Sequence, residues 1–159
     1  MNAVVYARAG ALGFVAGLRS MTPLACLAFA ARHGRSARLS LARRHWPRWL
    51  TDRRVATLLE ISAAGELVMD KMPSVPPRIE RGPLIGRAVL GGLAGGIVAG
   101  SSRASVPVGT MLGAIGAVAG SYGGYYARSG IKTATGLPDL PVALGEDTVA
   151  IVLGIATTG

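Results

Sequence analysis

Acidic residues are scarce in this 159-residue chain: eight Asp and Glu stand against seventeen Lys and Arg, for a formal net charge of +9. Charge of either sign is thin, at 16% of residues, where ordinary soluble domains carry about 25%. A soluble nucleic-acid binder needs a polar surface to carry its basic patch, so the low charge argues against that class. The one cysteine, Cys26, excludes an internal disulfide framework and a cysteine-based zinc cluster. His33 and His45 have no metal-ligand spacing around them, so neither a metal nor a cofactor is expected. What the chain has instead is apolar mass and glycine: 50% hydrophobic residues and 23 Gly, with a mean hydropathy of +0.44. That composition excludes a disordered tail. It predicts a single integral membrane domain over residues 1–159, all-α and crossing the bilayer several times.

The basic residues are concentrated. Arg32, Arg35, Arg38, Arg43, Arg44, Arg48, Arg53 and Arg54 fall in one stretch opposed only by Asp52, while nine Lys and Arg face seven Asp and Glu elsewhere. A short basic loop between apolar segments is the positive-inside signal, which places residues 32–54 in the cytoplasm. Residues 39–54 read LSLARRHWPRWLTDRR. Trp46, Trp49 and Leu50 have helical spacing, so this segment reads as amphipathic and interfacial. Trp46 and Trp49 would anchor it, with Arg43, Arg44 and Arg48 against anionic headgroups. Each such arginine contributes about 1 kcal/mol near an anionic surface. A solvated basic loop is the plainer reading. The expected partners are the lipid bilayer and anionic lipid headgroups, and no nucleic acid.

The apolar runs predict a polytopic transmembrane helix bundle of about five spans. Residues 3–31 are apolar apart from Arg8 and Arg19, too long as one helix for a hydrocarbon core of roughly 30 Å. Pro23, following Gly17, Arg19 and Ser20, predicts a broken or re-entrant first helix with its break near 19–23. Arg19 and the lack of a small-residue cleavage site argue against a signal peptide. Further spans cover 55–72, 84–102, 106–127 and 140–157. Pro73, Pro76, Pro77 and Pro83 predict an irregular turn, and 129–139 a loop ending LPDLP. A continuous first span puts the N-terminus outside; a re-entrant one puts it on the opposite side. Gly91, Gly92, Gly95, Gly96 and Gly100, then Gly109, Gly113, Gly116, Gly120 and Gly124, recur at steps that let helix backbones approach in lipid. These two spans are expected to pack against each other or against another copy in a homo-oligomer. Tyr122, Tyr125 and Tyr126 before Arg128 read as an interfacial anchor.

Some charges remain at bilayer depth, where Asp, Lys or Arg costs about 2.5–3.5 kcal/mol at a helix centre. Glu66 and Asp70, four apart, share a helix face, and Glu60 points towards the inner interface. Arg19, Glu66, Asp70, Arg87, Glu146 and Asp147 therefore form the candidate polar intramembrane site. Acids outnumber arginines in that set, so pairing both arginines leaves a carboxylate for an ion, a proton or a small solute. The leading reading is a small channel- or transporter-like protein. Gly17-Leu18-Arg19 echoes Gly86-Arg87, and Gly65-Glu66 echoes Gly145-Glu146, a weak internal repeat of the kind transporters use. The alternative is a non-transporting scaffold or lipid-interacting accessory, in which the same charges pin the bundle in register. A membrane enzyme on a lipid headgroup ranks last. Arg19, Arg78 and Arg87 would hold the phosphate, but no Ser/His/Asp order, HExxH or metal cluster accompanies them.

The stretch GELVMDKMPSVPPRIERGPLIGRAVLGGLAGG at 65–96 resembles the signature of the bacterial domain of unknown function 4126 family of small integral membrane proteins. GLRSMTPLA at 17–25 and LPDLPVALGEDTVAI at 137–151 look like its other two characteristic segments. The resemblance implies a bacterial inner-membrane location and no particular activity. It adds Ser20, Pro23, Lys71, Pro73, Pro77, Arg78 and Asp139 as supporting motif residues.

Overall fold

The computed structural model describes residues 2–33, 46–69, 79–136 and 138–158. It is helical, with no strand among the described residues: α1 (Asn2–Leu18), α2 (Thr22–His33), α3 (Arg48–Thr51), α4 (Arg53–Met69), α5 (Arg81–Ser101), α6 (Val106–Thr135) and α7 (Asp139–Thr158). Three of these, α5, α6 and α7, are long and apolar enough to cross a membrane. α1 is apolar but has only 17 residues.

Glycine decides where the bundle is tightest. α5 runs antiparallel to α6, and a Cβ at Gly113 would run into the carbonyl of Gly91, one at Gly95 into that of Gly109. α1 lies in the same groove, parallel to α6. There Gly13 meets the carbonyl of Gly113, Gly116 that of Gly10, and Gly120 that of Phe14. The glycine rows of α5 and α6 are thus in use within one chain, and α1 is the third member of the mesh. Backbone contact of this kind maximises dispersion between helices that lipid itself does not drive together.

Residues 19–21 are not helical, and α2 runs back from them. The registers show the reversal. Gly17 packs on Ala117, Gly120 and Ser121, the middle of α6, whereas Thr22 and Cys26 lie beside Gly154 near the end of α7. α4 is antiparallel to α2, with Glu66 beside Met21 and Glu60 3.7 Å from Arg32. Leu12, Leu24, Leu27, Trp46, Leu50, Ala56, Ala94 and Ile97 build the main apolar core beneath the α1–α2 turn.

Local chemistry sets the boundaries. Asp52 caps α4 by accepting from the Arg54 and Val55 N–H groups at 2.8 and 3.2 Å. Gly136 ends α6 in the left-handed conformation at φ 65°, its N–H donating to the Lys132 carbonyl at 3.0 Å. The loop expected over 129–139 is accordingly helix as far as Thr135. Gly130 alone is too weak a breaker, costing about 1 kcal/mol. Pro83, read as part of an irregular turn, sits in the first turn of α5, where a missing N–H leaves no helical bond unmade.

Candidate functional site

The turn between α1 and α2 exposes two helix ends inside the protein. The last carbonyls of α1 and the first N–H groups of α2 have no partners within their own helices, and burying such groups unpaired is costly. Two charged side chains from other helices meet them. Arg87 of α5 donates from Nη1 to the Gly17 and Leu18 carbonyls at 2.8 and 3.0 Å. Glu66 of α4 accepts from the Ser20 N–H at 2.7 Å and the Met21 N–H at 2.9 Å. A cation thus sits at a helix C-terminus and an anion at a helix N-terminus, the favourable sense of both helix dipoles. Arg87 Nη2 and Glu66 Oε1 are 3.7 Å apart, which joins the two caps. Ser121 adds a hydroxyl that donates to the Ala117 carbonyl and reaches the Gly17 carbonyl at 3.3 Å.

Arg19 lies in the turn itself and is fully buried. Its guanidinium pairs with Asp147 of α7, which is also buried. Glu146 and Asp147 are neighbours on a helix and point about 100° apart. Asp147 therefore turns inward to Arg19, while Glu146 faces Arg128 of α6 at 3.9 Å. Arg128 also pairs with Asp139 through Nε at 3.1 Å and through Nη2, and Lys132 Nζ reaches Asp139 at 2.9 Å. Of the residues in the weak internal repeat, Arg87 pairs with Glu66, whereas Arg19 takes Asp147 and the repeat's Glu146 faces Arg128.

Of the residues singled out from the sequence, Arg19, Ser20, Glu66, Arg87 and Asp147 converge on the α1–α2 turn. Glu146 and Asp139 lie with Arg128 on the adjoining face. Pro23 is buried in the first turn of α2. Asp70, Lys71, Pro73, Pro77 and Arg78 lie outside the described residues, as do Arg43 and Arg44. Trp46, expected at the headgroups, is packed in the core beside Leu50, and Trp49 and Arg48 are the exposed members of that segment. Within α3 only Leu50 is turned inward onto the core, while its neighbour Trp49 stays exposed. Arg128, Lys132 and Ser121 were not identified from the sequence as partners. A helix continued through 128–135, closed by a turn at Gly136, would have brought Arg128 back over Asp139. No group of three metal-ligating side chains occurs among the described residues.

A second feature adjoins this site. α2, α4 and α7 stand apart around a cleft of about 660 Å³, lined by alanines of α2 and α4, isoleucines of α7, and Glu60 at one end. Neither Glu66 nor Glu146 lines it.

No curated protein and no solved structure matches the chain. The model of the family described as domain of unknown function (DUF4126) matches residues 7–158, nearly the whole length, and the chain belongs to that family.

Proposed function

We propose that the protein is a small transporter- or channel-like protein of the bacterial inner membrane, with α1 and α2 dipping into the bilayer as a re-entrant hairpin and the charged turn as its polar site. One observation supports this reading. Two helix ends stop level with the middle of α6, and removable side chains on two other helices hold them. Broken helices of transporters present such ends to the solute, and irregular backbone at depth is tolerated only beside protein or a water-filled cavity. Glu66 occupies the place an anion would take at the start of α2. Neutralising or displacing its carboxylate releases the Ser20 and Met21 N–H groups and removes the anion beside Arg87, whose Nη1 keeps the Gly17 and Leu18 carbonyls. In this reading the hairpin and α4 to α7 make up the membrane domain, and both termini and residues 32–54 are cytoplasmic.

The test is flux in proteoliposomes, with proton and ion gradients monitored by internal dyes. A gradient should dissipate or drive uptake, and Glu66→Gln should change that rate about tenfold or more, as a buried charge-assisted contact is lost. If no gradient responds and Glu66→Gln moves only the unfolding temperature, the proposal fails.

The alternative of a non-transporting scaffold or lipid-interacting accessory draws on a different observation. Arg19, Arg87 and Arg128 each already hold a carboxylate, so the polar core is closed. That reading expects charge reversal of Arg43, Arg44 and Arg48 to abolish the preference for anionic lipid, with paired changes at Arg19 and Glu66 mattering only for folding.

A further inference from the structure

We propose that the cleft between α2, α4 and α7 seats one acyl chain of an aminophospholipid, with the lipid's phosphate on Arg32 and its ammonium on Glu60. The proposal requires the bundle to sit in a bilayer and is independent of whether the turn site transports anything. The cleft volume of about 660 Å³ falls within the range of sites that enclose small ligands. It extends along α2 from Thr22 to Ala30, some 12 Å at about 1.5 Å per residue. Its depth comes from small side chains, Ala25 on α2 and Ala63 and Ala64 on α4, facing Ile151 and Ile155 of α7. α7 is long and apolar enough to cross a membrane, so the cleft opens onto hydrocarbon. The walls are chiefly apolar, and the Thr158 hydroxyl already donates to the Gly154 carbonyl. An acyl chain matches them.

Thr22 and Thr158 add hydroxyls to the apolar walls, and the charge in the lining is confined to one end. There Glu60 lines the cleft, and its Oε1 is buried with no hydrogen-bond partner among the described residues. Arg32 Nη1 lies 3.7 Å away, close enough for ion pairing and too far for a hydrogen bond. A guanidinium beside an under-satisfied carboxylate complements a phosphate beside a primary ammonium. The guanidinium donates to phosphate oxygens, and the carboxylate accepts from the ammonium. A headgroup that is only anionic would leave Glu60 facing like charge. A quaternary headgroup has no N–H to give the accessible part of the Glu60 carboxylate, whose side chain is 39% exposed. Arg53 and Arg54 are exposed at the start of α4, on the same end of the bundle, and favour the phosphate layer there.

The experiment uses the full chain in vesicles containing chain-spin-labelled phosphatidylethanolamine, phosphatidylcholine or phosphatidylglycerol, read by electron spin resonance. The expected result is a motionally restricted lipid component, with phosphatidylethanolamine preferred about tenfold over the other two, as one charge-assisted hydrogen bond provides. Ala64→Phe, which fills the cleft from an exposed position, should remove about one restricted lipid per chain and the phosphatidylethanolamine preference with it, leaving the ordinary boundary shell, with helicity retained by circular dichroism. Glu60→Gln should keep the component and erase the headgroup preference. Protection of Cys26 from a lipophilic maleimide by added phosphatidylethanolamine provides a second readout on the unmutated protein. A restricted population and headgroup preference unchanged in folded Ala64→Phe overturn the lipid seat. Equal restriction of all three headgroups, or a preference unchanged by Glu60→Gln, overturns the headgroup assignment.

Discussion

The two sides of the bundle are built on opposite principles. Around α6, the helices α1 and α5 approach until backbone touches backbone, and glycines 13, 91, 95, 109, 113, 116 and 120 leave no room for a Cβ. Around the cleft, α2, α4 and α7 stand apart. α4 buries only Ala56 fully and leaves Leu58, Ile61, Val68 and Met69 exposed. The first side can move only as a block, because close-packed interfaces shift between discrete arrangements and do not deform smoothly. The second side has few such constraints. Buried ion pairs tie one to the other: Arg87 of the rigid block to Glu66 of α4, and Arg19, at the end of α1, to Asp147 of α7. The charges are therefore the connection between a fixed frame and two loosely held helices, which is where a switch would have to act.

Severing one of those connections should have the largest effect. Arg87→Ala leaves the Gly17 and Leu18 carbonyls bare and Glu66 without its cation. Breaking a buried pair by removing one partner costs about 3–5 kcal/mol. Thermal unfolding in detergent should show this as a large loss, and Glu66→Gln in the same chain should return part of it. If the two losses simply add, the pair is not coupled and the rigid and loose sides are independent.

A smaller loss is expected from overpacking the rigid side. Gly113 touches both Gly91 and Gly13, so Gly113→Leu must push α5 and α1 away from α6 together. Inserting methylenes into a close-packed interface costs about 1–3 kcal/mol and occasionally more. The same detergent melt measures it. A neutral outcome would mean that the α1–α5–α6 contact is as adaptable as the cleft side.

Much of this division could be read from the sequence, and the unread part has physical causes. Helical character and the apolar runs that became α5, α6 and α7 follow from composition and periodicity, which are local, and the family from the resemblance of three motif segments. Arg19, Glu66, Arg87 and Asp147 stood out because charges are rare in apolar segments. That the arginines pair with the acids could be expected, but not which takes which, since partners 128 residues apart in sequence, as in Arg19 and Asp147, leave no local trace. The capping of broken helix ends by Arg87 and Glu66 was also hidden. It depends on backbone carbonyls and N–H groups, which every residue carries and no sequence pattern marks. Trp46 illustrates the converse: its amphipathic spacing was plain, but which face turned inward depended on the core that α3 covers.

The smallest effect sharpens the comparison from the loose side. Gly65 lies within α4 and Gly145 within α7, both are exposed, and a Cβ at either would meet nothing within 4 Å. Glycine inside a helix is less favourable than alanine by about 0.8–1.0 kcal/mol, from backbone entropy in the unfolded chain. Gly65→Ala and Gly145→Ala should therefore leave the unfolding temperature unchanged or raise it slightly, whereas glycines of the rigid side tolerate no such change. The two positions directly precede Glu66 and Glu146, so each substitution stiffens the helix beside a paired carboxylate without touching the pair. Unfolding temperature and proteoliposome flux should then separate. A gain in stability with unchanged flux marks the Gly65 and Gly145 backbones as passive. A gain in stability with lost flux would show that α4 or α7 must bend at that glycine for the ion pair beside it to open.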